Sequence, residues 1–201
     1  MPSNTPRASP HPIDPLFLER WSPRAFDGSK LDDAELFTIL EAARWAPSSF
    51  NHQPWRFVYA HRESADWERF VGLLMPFNAM WARNASVLLF IISDTMIQLP
   101  RDAAKTVSHS HSFDAGAAWA FMTLQATRLG IRTHGMTGVD FNRARRELSV
   151  PDTFRIEAAI AIGRAGDKSI LPPEMQGREA PNGRRDLAEF VMEGRFIAKT
   201  S

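Results

Sequence analysis

Residues 41–57 read Glu-Ala-Ala-Arg-Trp-Ala-Pro-Ser-Ser-Phe-Asn-His-Gln-Pro-Trp-Arg-Phe, and this segment imposes a helix, a short loop and a strand in that order. Upstream of it, Leu36, Ile39, Leu40 and Ala43 recur at helical spacing behind Asp32 or Asp33, either of which can cap the helix. Pro47 drives the residue before it out of the helical region, so the helix ends near Ala46. Trp55 to Ala60 alternates as a half-buried strand does. Between them lie Pro47, Ser48, Ser49, Asn51 and Gln53, a polar loop held at both ends. A rigid scaffold presents groups to a ligand from such loops. Taken alone, the pattern equally describes an ordinary helix-to-strand connection.

The rest of the chain follows the same reading. Leu16–Trp21 suits a short helix. Glu63–Leu74 puts Trp67, Phe70, Val71 and Leu74 on one helical face, and Asn78–Ala85 suits another short helix. Val87–Ser93 is a continuous apolar run, as expected of a strand buried on both faces. Ser112 is placed to cap a helix over Phe113–Leu129 that Gly130 ends. The start of that helix, Asp114-Ala-Gly-Ala-Ala-Trp119, is rich in small residues, which suits close approach at a dimer interface or ordinary core packing. Ile131–Met136 reads as a strand or extended loop, Asp140 caps a helix through Leu148, Arg155–Gly163 is a strand, and Asp186–Met192 is helical. Helices alternate with strands but often come in pairs, which predicts a mixed sheet flanked by helices. At 201 residues the chain suits one domain. Residues 1–15 read as a flexible N-terminal arm rather than a secretory signal, and residues 16–201 as the domain.

Composition narrows the function. A net charge of +1 gives no reason to expect nucleic acid or an anionic membrane as partner. The longest apolar run is too short to span a bilayer. With no cysteine, disulfides, thiolate metal sites and a cysteine nucleophile are excluded, and a reducing cytoplasm is the compatible location. His109, His111 and Asp114 supply only part of a metal-ligand set, so no metal site is expected. The run from Gly163 to Ser169 follows a strand, but Asp167 breaks the P-loop spacing. No nucleophile-elbow motif accompanies the serines.

Upstream of the loop stands Arg20-Trp21-Ser22-Pro-Arg24-Ala-Phe26. This segment, followed by Ala46-Pro47-Ser48-Ser49-x-Asn51-x-Gln53-Pro54-Trp55, resembles the FMN-dependent nitroreductase family, in which two such motifs occur in this order. The resemblance implies an α+β sandwich intertwined as a homodimer, with FMN sites at the interface and a C-terminal tail crossing to the partner. NADH or NADPH is the implied electron donor, and a small-molecule nitroaromatic, quinone or related compound the acceptor, in ping-pong order. No protein side chain is expected to act as a catalytic nucleophile, because the flavin N5 carries the hydride.

The resemblance also implies site residues. Arg20, Trp21 and Ser22 fall at the FMN phosphate and ribityl chain, and Arg24 at the pyrimidine edge. Alternate positions put Arg20, Ser22 and Arg24 on one side of an extended segment, and arginine suits phosphate. Pro47, Ser48, Ser49, Asn51 and Gln53 would reach the flavin of the neighbouring subunit. Asn78 would meet the pyrimidine, and Gly135, Met136, Thr137 and Gly138 would pass along the ring, the two glycines permitting close backbone approach. Arg184 and Arg185 form a basic pair of which Arg184 would reach the phosphate. Two departures stand out: Trp81 and Asn182 replace residues that are often basic in the family. Trp81, Met75–Phe77 and Phe113 are candidates for the pocket lining or for core packing, and His134 reads as a structural or solvated turn histidine. Alternatives in other classes are a flavin carrier or sensor with little turnover, and a flavin-free structural dimer.

Overall fold

The computed structural model describes residues 7–197. The helices and strands run α1 (Pro15–Glu19), α2 (Asp33–Arg44), β1 (Trp55–His61), α3 (Trp67–Val71), α4 (Pro76–Ala82), β2 (Val87–Asp94), β3 (Met96–Ile97), β4 (Thr106–Val107), α5 (His111–Arg128), β5 (Arg132–Met136), α6 (Phe141–Glu147), β6 (Phe154–Gly163) and α7 (Pro173–Gln176). Local chemistry fixes several of their ends. Asp32 and Glu35 form a reciprocal capping box on α2. Asp140 accepts from the Arg143 amide at the start of α6. Gly130, at φ +73°, follows α5 in the left-handed conformation that glycine adopts freely.

The main sheet has the order β1-β2-β6-β5. Trp55 pairs with Ser93, Val87 with Ile162, and Arg132 with Gly163, all in antiparallel ladders. The α+β class and the helical layers are as expected, whereas a mixed sheet was expected and the ladders are uniformly antiparallel. The helical connections from β1 to β2 and from β5 to β6 return to the sheet end they left, which makes each pair antiparallel.

Strand β2 is buried along all eight of its residues, and its alternation feeds two cores. Leu88, Phe90 and Ile92 join Phe26, Phe70 and Trp81 on the side of α3 and α4. Val87, Leu89 and Ile91 join Leu36, Ile39, Ala115, Ala118 and Met122 on the side of α2 and α5. Ala115 and Ala118 are therefore core residues, whereas a Cβ placed on Gly116 would touch nothing within 4 Å.

Several boundaries differ from the sequence reading; α1 and α4 shift by one to three residues, and three further differences have a clear local cause. α5 starts at His111 behind Ser110, so Ser112 lies inside its first turn and its hydroxyl donates to Glu157 instead of capping. α3 is shorter because the preceding residues form a turn, with the Ser64 amide donating to His61 O, and Gly72 follows its last residue. The segment 186–192 keeps one 3-10 turn, Leu187–Glu189; Leu187, Phe190 and Val191 are exposed, so little tertiary packing sustains a longer helix. Residues 1–6 of the expected arm lie outside the described residues. Arg7 is tied to Leu18, Arg20 and Asn182.

Candidate functional site

A groove of about 660 Å3 opens between α5 and the β6–β5 side of the sheet. Ile91, Ala158 and Ile160 line it from the sheet, and Ala115, Gly116 and Trp119 from α5. Arg20, Ser22, Gly135, Met136 and Thr137 also border it, so residues far apart in sequence meet here. Gly135 packs closely here: a Cβ there would come 3.2 Å from Trp119 Cζ2 and 3.3 Å from Ile160 Cδ1. Gly138 admits Asn78, whose Nδ2 donates to Gly138 O at 3.1 Å and would lie 2.3 Å from an added Cβ.

Arg20 Nη1 donates to Ser22 Oγ at 3.2 Å, and both face the groove. Around Arg20 gather three further cations, Arg7, Arg132 and Arg184. Arg7 Nη1 donates to Arg20 O at 2.6 Å and Arg7 Nε to Asn182 O at 2.9 Å, while Arg184 Nη1 lies 3.4 Å from the same Asn182 O. Burial, then the charges of Arg184, Arg7 and Arg132, hold the Arg20 guanidinium below its ordinary pKa. Burial and then Arg184 do the same to Arg7. Among the described residues, none of the four forms an ion pair with a carboxylate. Arg132 Nη1 is buried without a hydrogen-bond partner. Cations crowded together with no counter-charge, one of them with a buried idle donor, make a site for an anion rich in oxygens. A terminal phosphate on a ligand lying in the groove fits it.

Arg24 is absent from the groove border. Its amide and that of Ala25 donate to Glu179 Oε1 at 2.7 and 2.8 Å, and its guanidinium lies 4.0 Å from Glu179 Oε2. Trp21 is half-buried between Arg20 and Ser22. Arg185 points elsewhere, 3.6 Å from Glu189 and over the Phe190 ring, so only Arg184 of the basic pair joins the cluster.

The loop after α2 stands outside the groove border of its own chain. Phe50, Asn51 and Gln53 all have positive φ, near 50°, a conformation that costs energy in residues other than glycine. Among the bonds that hold it, the Gln53 amide donates to Ser48 Oγ at 3.0 Å, and the Ser49 amide to Asp114 Oδ2 at 3.2 Å. Pro47, Phe50 and Asn51 remain exposed.

Trp81 belongs to the core. It is 1% exposed, stacked 6.3 Å from Phe26 and 4.6 Å from the His134 ring, and does not line the groove. His134 donates through Nδ1 to Pro23 O at 2.9 Å, which ties the Arg20–Phe26 segment to β5. Burial, first among several causes, pushes its pKa below the ordinary value. Met75 and Phe77 are half-exposed and Phe113 is 81% exposed; none borders the groove.

Two features were missed from sequence. Arg7 and Arg132 carry no motif, and only the fold brings them to Arg20. Glu157 borders the groove with its Oε1 accepting from Ser93 Oγ at 2.6 Å and Ser112 Oγ at 2.7 Å, beside His111 Nδ1 at 3.5 Å. The expected neighbour of His111, Asp114, instead bonds Ser49 and Ser110. Among the described residues no three metal-binding side chains gather, and no helix is long and apolar enough to cross a membrane.

Known proteins carry the same architecture. The crystal structure of an oxidoreductase containing FMN is similar over 99% of this chain and 100% of its own, at 53% identity and a TM-score of 0.93. An uncharacterized 15.4 kDa protein of Mycolicibacterium smegmatis is 31% identical over 126 residues, 62% of this chain and 80% of its own. An NADH dehydrogenase of Thermus thermophilus is 28% identical over 170 residues, 73% of this chain and 83% of its own. Residues 18–164 match the Nitroreductase family model, a span that takes in the Arg20 segment, the Pro47 loop and every strand of the main sheet, and the chain belongs to that family.

Proposed function

We propose that this chain is an FMN-dependent oxidoreductase of the cytoplasm that draws electrons from NADH or NADPH and reduces nitroaromatic, quinone or related acceptors. The observation that carries this reading is the uncompensated arginine cluster around Arg20, which borders a groove lined largely by apolar and small residues. A flavin mononucleotide has the matching shape, with a charged phosphate and a flat apolar ring. The 53% identical oxidoreductase containing FMN supports the same cofactor.

Arg20, Ser22, Arg184 and Arg132 would hold the phosphate, with Trp21 beside the ribityl chain. Gly135, Met136, Thr137 and Gly138 would lie along the ring, where backbone amides can meet developing negative charge. Arg24, whose guanidinium lies 4.0 Å from Glu179, and Asn78, bonded to Gly138, would address the pyrimidine edge. The chemistry supplied by a bound FMN is the acceptance and return of a hydride. Donor and acceptor share one open groove and therefore bind in turn, in ping-pong order.

The functional unit is a homodimer. Exposed Phe113, Phe50 and Trp45, together with the tail residues Phe190 and Phe196, form more apolar surface than one chain covers. Their burial against a second copy would bring Pro47, Ser48, Ser49, Asn51 and Gln53 to the partner's groove. The test is the visible spectrum of the purified protein before and after anaerobic NADH or NADPH. A flavin band that bleaches and returns on adding a quinone is the expected result. Absence of bound flavin after adding FMN overturns the proposal, and a bound flavin that neither cofactor bleaches points to a carrier.

A further inference from the structure

We propose that Arg7 is a phosphate-anchoring residue, a cation delivered from the segment before α1 to the backbone of Arg20, the arginine that borders the flavin groove. This rests on the FMN reading and extends it to a residue outside both sequence motifs and outside the family match, which begins at residue 18.

The geometry is that of a guanidinium held in place but not neutralised. Arg7 Nη1 donates to Leu18 O at 3.1 Å and Arg20 O at 2.6 Å, Nε to Asn182 O at 2.9 Å, and Nη2 to Asn182 Oδ1 at 3.3 Å. These acceptors are all uncharged. They occupy four of the five N–H donors, leaving one on Nη2 and the whole positive charge. The neutral Asn182 uses both its oxygens to bring in this charge. Its carbonyl also lies 3.4 Å from Arg184 Nη1, so two guanidinium groups converge there, one from 175 residues away in sequence and one from two. Arg7 grips the backbone of Arg20, whose own side chain faces the groove.

Such an arrangement makes sense for a phosphate monoester, whose two negative charges exceed what one arginine answers. Without a ligand the four cations repel one another, and their hydrogen bonds to neutral acceptors supply no counter-charge. With a phosphate among them, each adds attraction, and those with free donors add charge-assisted hydrogen bonds. Arg7 should therefore separate FMN from riboflavin, which has the same ring and no phosphate.

The test uses the full-length apoprotein, titrated with FMN and with riboflavin and followed by flavin fluorescence. Arg7→Ala should weaken FMN binding roughly 10- to 100-fold and leave riboflavin affinity unchanged. Arg7→Gln, which keeps an amide donor for the carbonyls, should show the same selective loss, so a folding defect in the alanine variant does not decide the matter. Arg7→Lys should retain much of the affinity, and Asn182→Lys should restore part of it to Arg7→Ala. FMN affinity unchanged in both Arg7→Ala and Arg7→Gln, or equal losses for FMN and riboflavin, would overturn the proposal and leave Arg7 a tether of the N-terminal segment. Arg20→Ala run in parallel separates the two claims. A loss there without a loss at Arg7 sinks only the role of Arg7; no loss at either sinks the flavin reading as well.

Discussion

The two faces of strand β2 are finished in opposite ways. On one, Leu88, Phe90 and Ile92 meet Phe26, Phe70 and Trp81, each of these aromatic rings no more than 1% exposed. On the other, Val87, Leu89 and Ile91 are equally buried, but α5 above them leaves a groove beside it and carries Phe113 on its surface. The closed face is completed by aromatic packing within the single chain. The open face spends apolar surface and four uncompensated arginines on something the single chain does not contain. Stability should therefore draw on the buried cores of both faces, and ligand and partner on the second alone.

The largest expected effect tests the closed face. Phe90→Ala removes a ring that is fully buried and packed edge-on to Phe70 at 5.5 Å. It should cost about 3–5 kcal/mol in chemical denaturation, while the fraction that remains folded keeps its FMN affinity. A loss of FMN affinity in folded protein, with stability intact, would invert the assignment of the two faces. Next comes Arg20→Ala, on the open face. It should weaken FMN binding by about 1.5–3 kcal/mol by isothermal titration, with apoprotein stability changed by no more than about 0.5 kcal/mol. Since Arg20 lies among three other cations, its removal relieves repulsion in the apoprotein. A variant that unfolds would make Arg20 a structural residue.

The third effect concerns the partner. Phe113 is 81% exposed, so Phe113→Ser removes little packing within the chain. If α5 meets a second copy, truncating this ring should weaken the dimer by more than about 1 kcal/mol, read by sedimentation at falling concentrations. An unchanged dimer would move the interface to another exposed patch.

What the sequence could disclose followed from how local the signal was. The cap at Asp32, the stop at Pro47 and the apolar run of β2 are decided within a few residues, and each appears at or near its expected place. Arg20 and Ser22 were legible through a motif and an alternating spacing, and they do face the groove together. The Arg7 and Arg132 guanidinium groups were not, because they reach Arg20 from separate segments and nothing near them in sequence announces it. Trp81 shows the converse. A departure from a family pattern invited a role at the site, yet the residue lies between Phe26 and His134 on the closed face. Burial overrules position in a motif.

His134 stands at the seam of the two faces and gives the smallest but most diagnostic effect. Its ring packs on Trp81 of the closed face, its Nδ1–H donates to Pro23 O, and its own strand continues into Gly135 and Met136 of the groove. Burial, chiefly, and then the nearby Arg24 and Arg20 disfavour the imidazolium, against partial relief from the Pro23 carbonyl. The folded pKa therefore lies below the unfolded value of about 6.5. Between those two values the unfolded chain binds more protons than the folded one, so stability rises with pH across the window and is lost as pH falls through it. His134→Asn keeps a donor for Pro23 O and removes the titration. The variant should start less stable, having lost part of its contact with Trp81, but its stability should change less between pH 6.5 and 5. Acid loss from carboxylates below that range should remain in both proteins. Urea midpoints measured at half-unit pH steps decide it: parallel curves would mean that His134 is protonated as readily in the fold as in the unfolded chain, and that the seam is open to water.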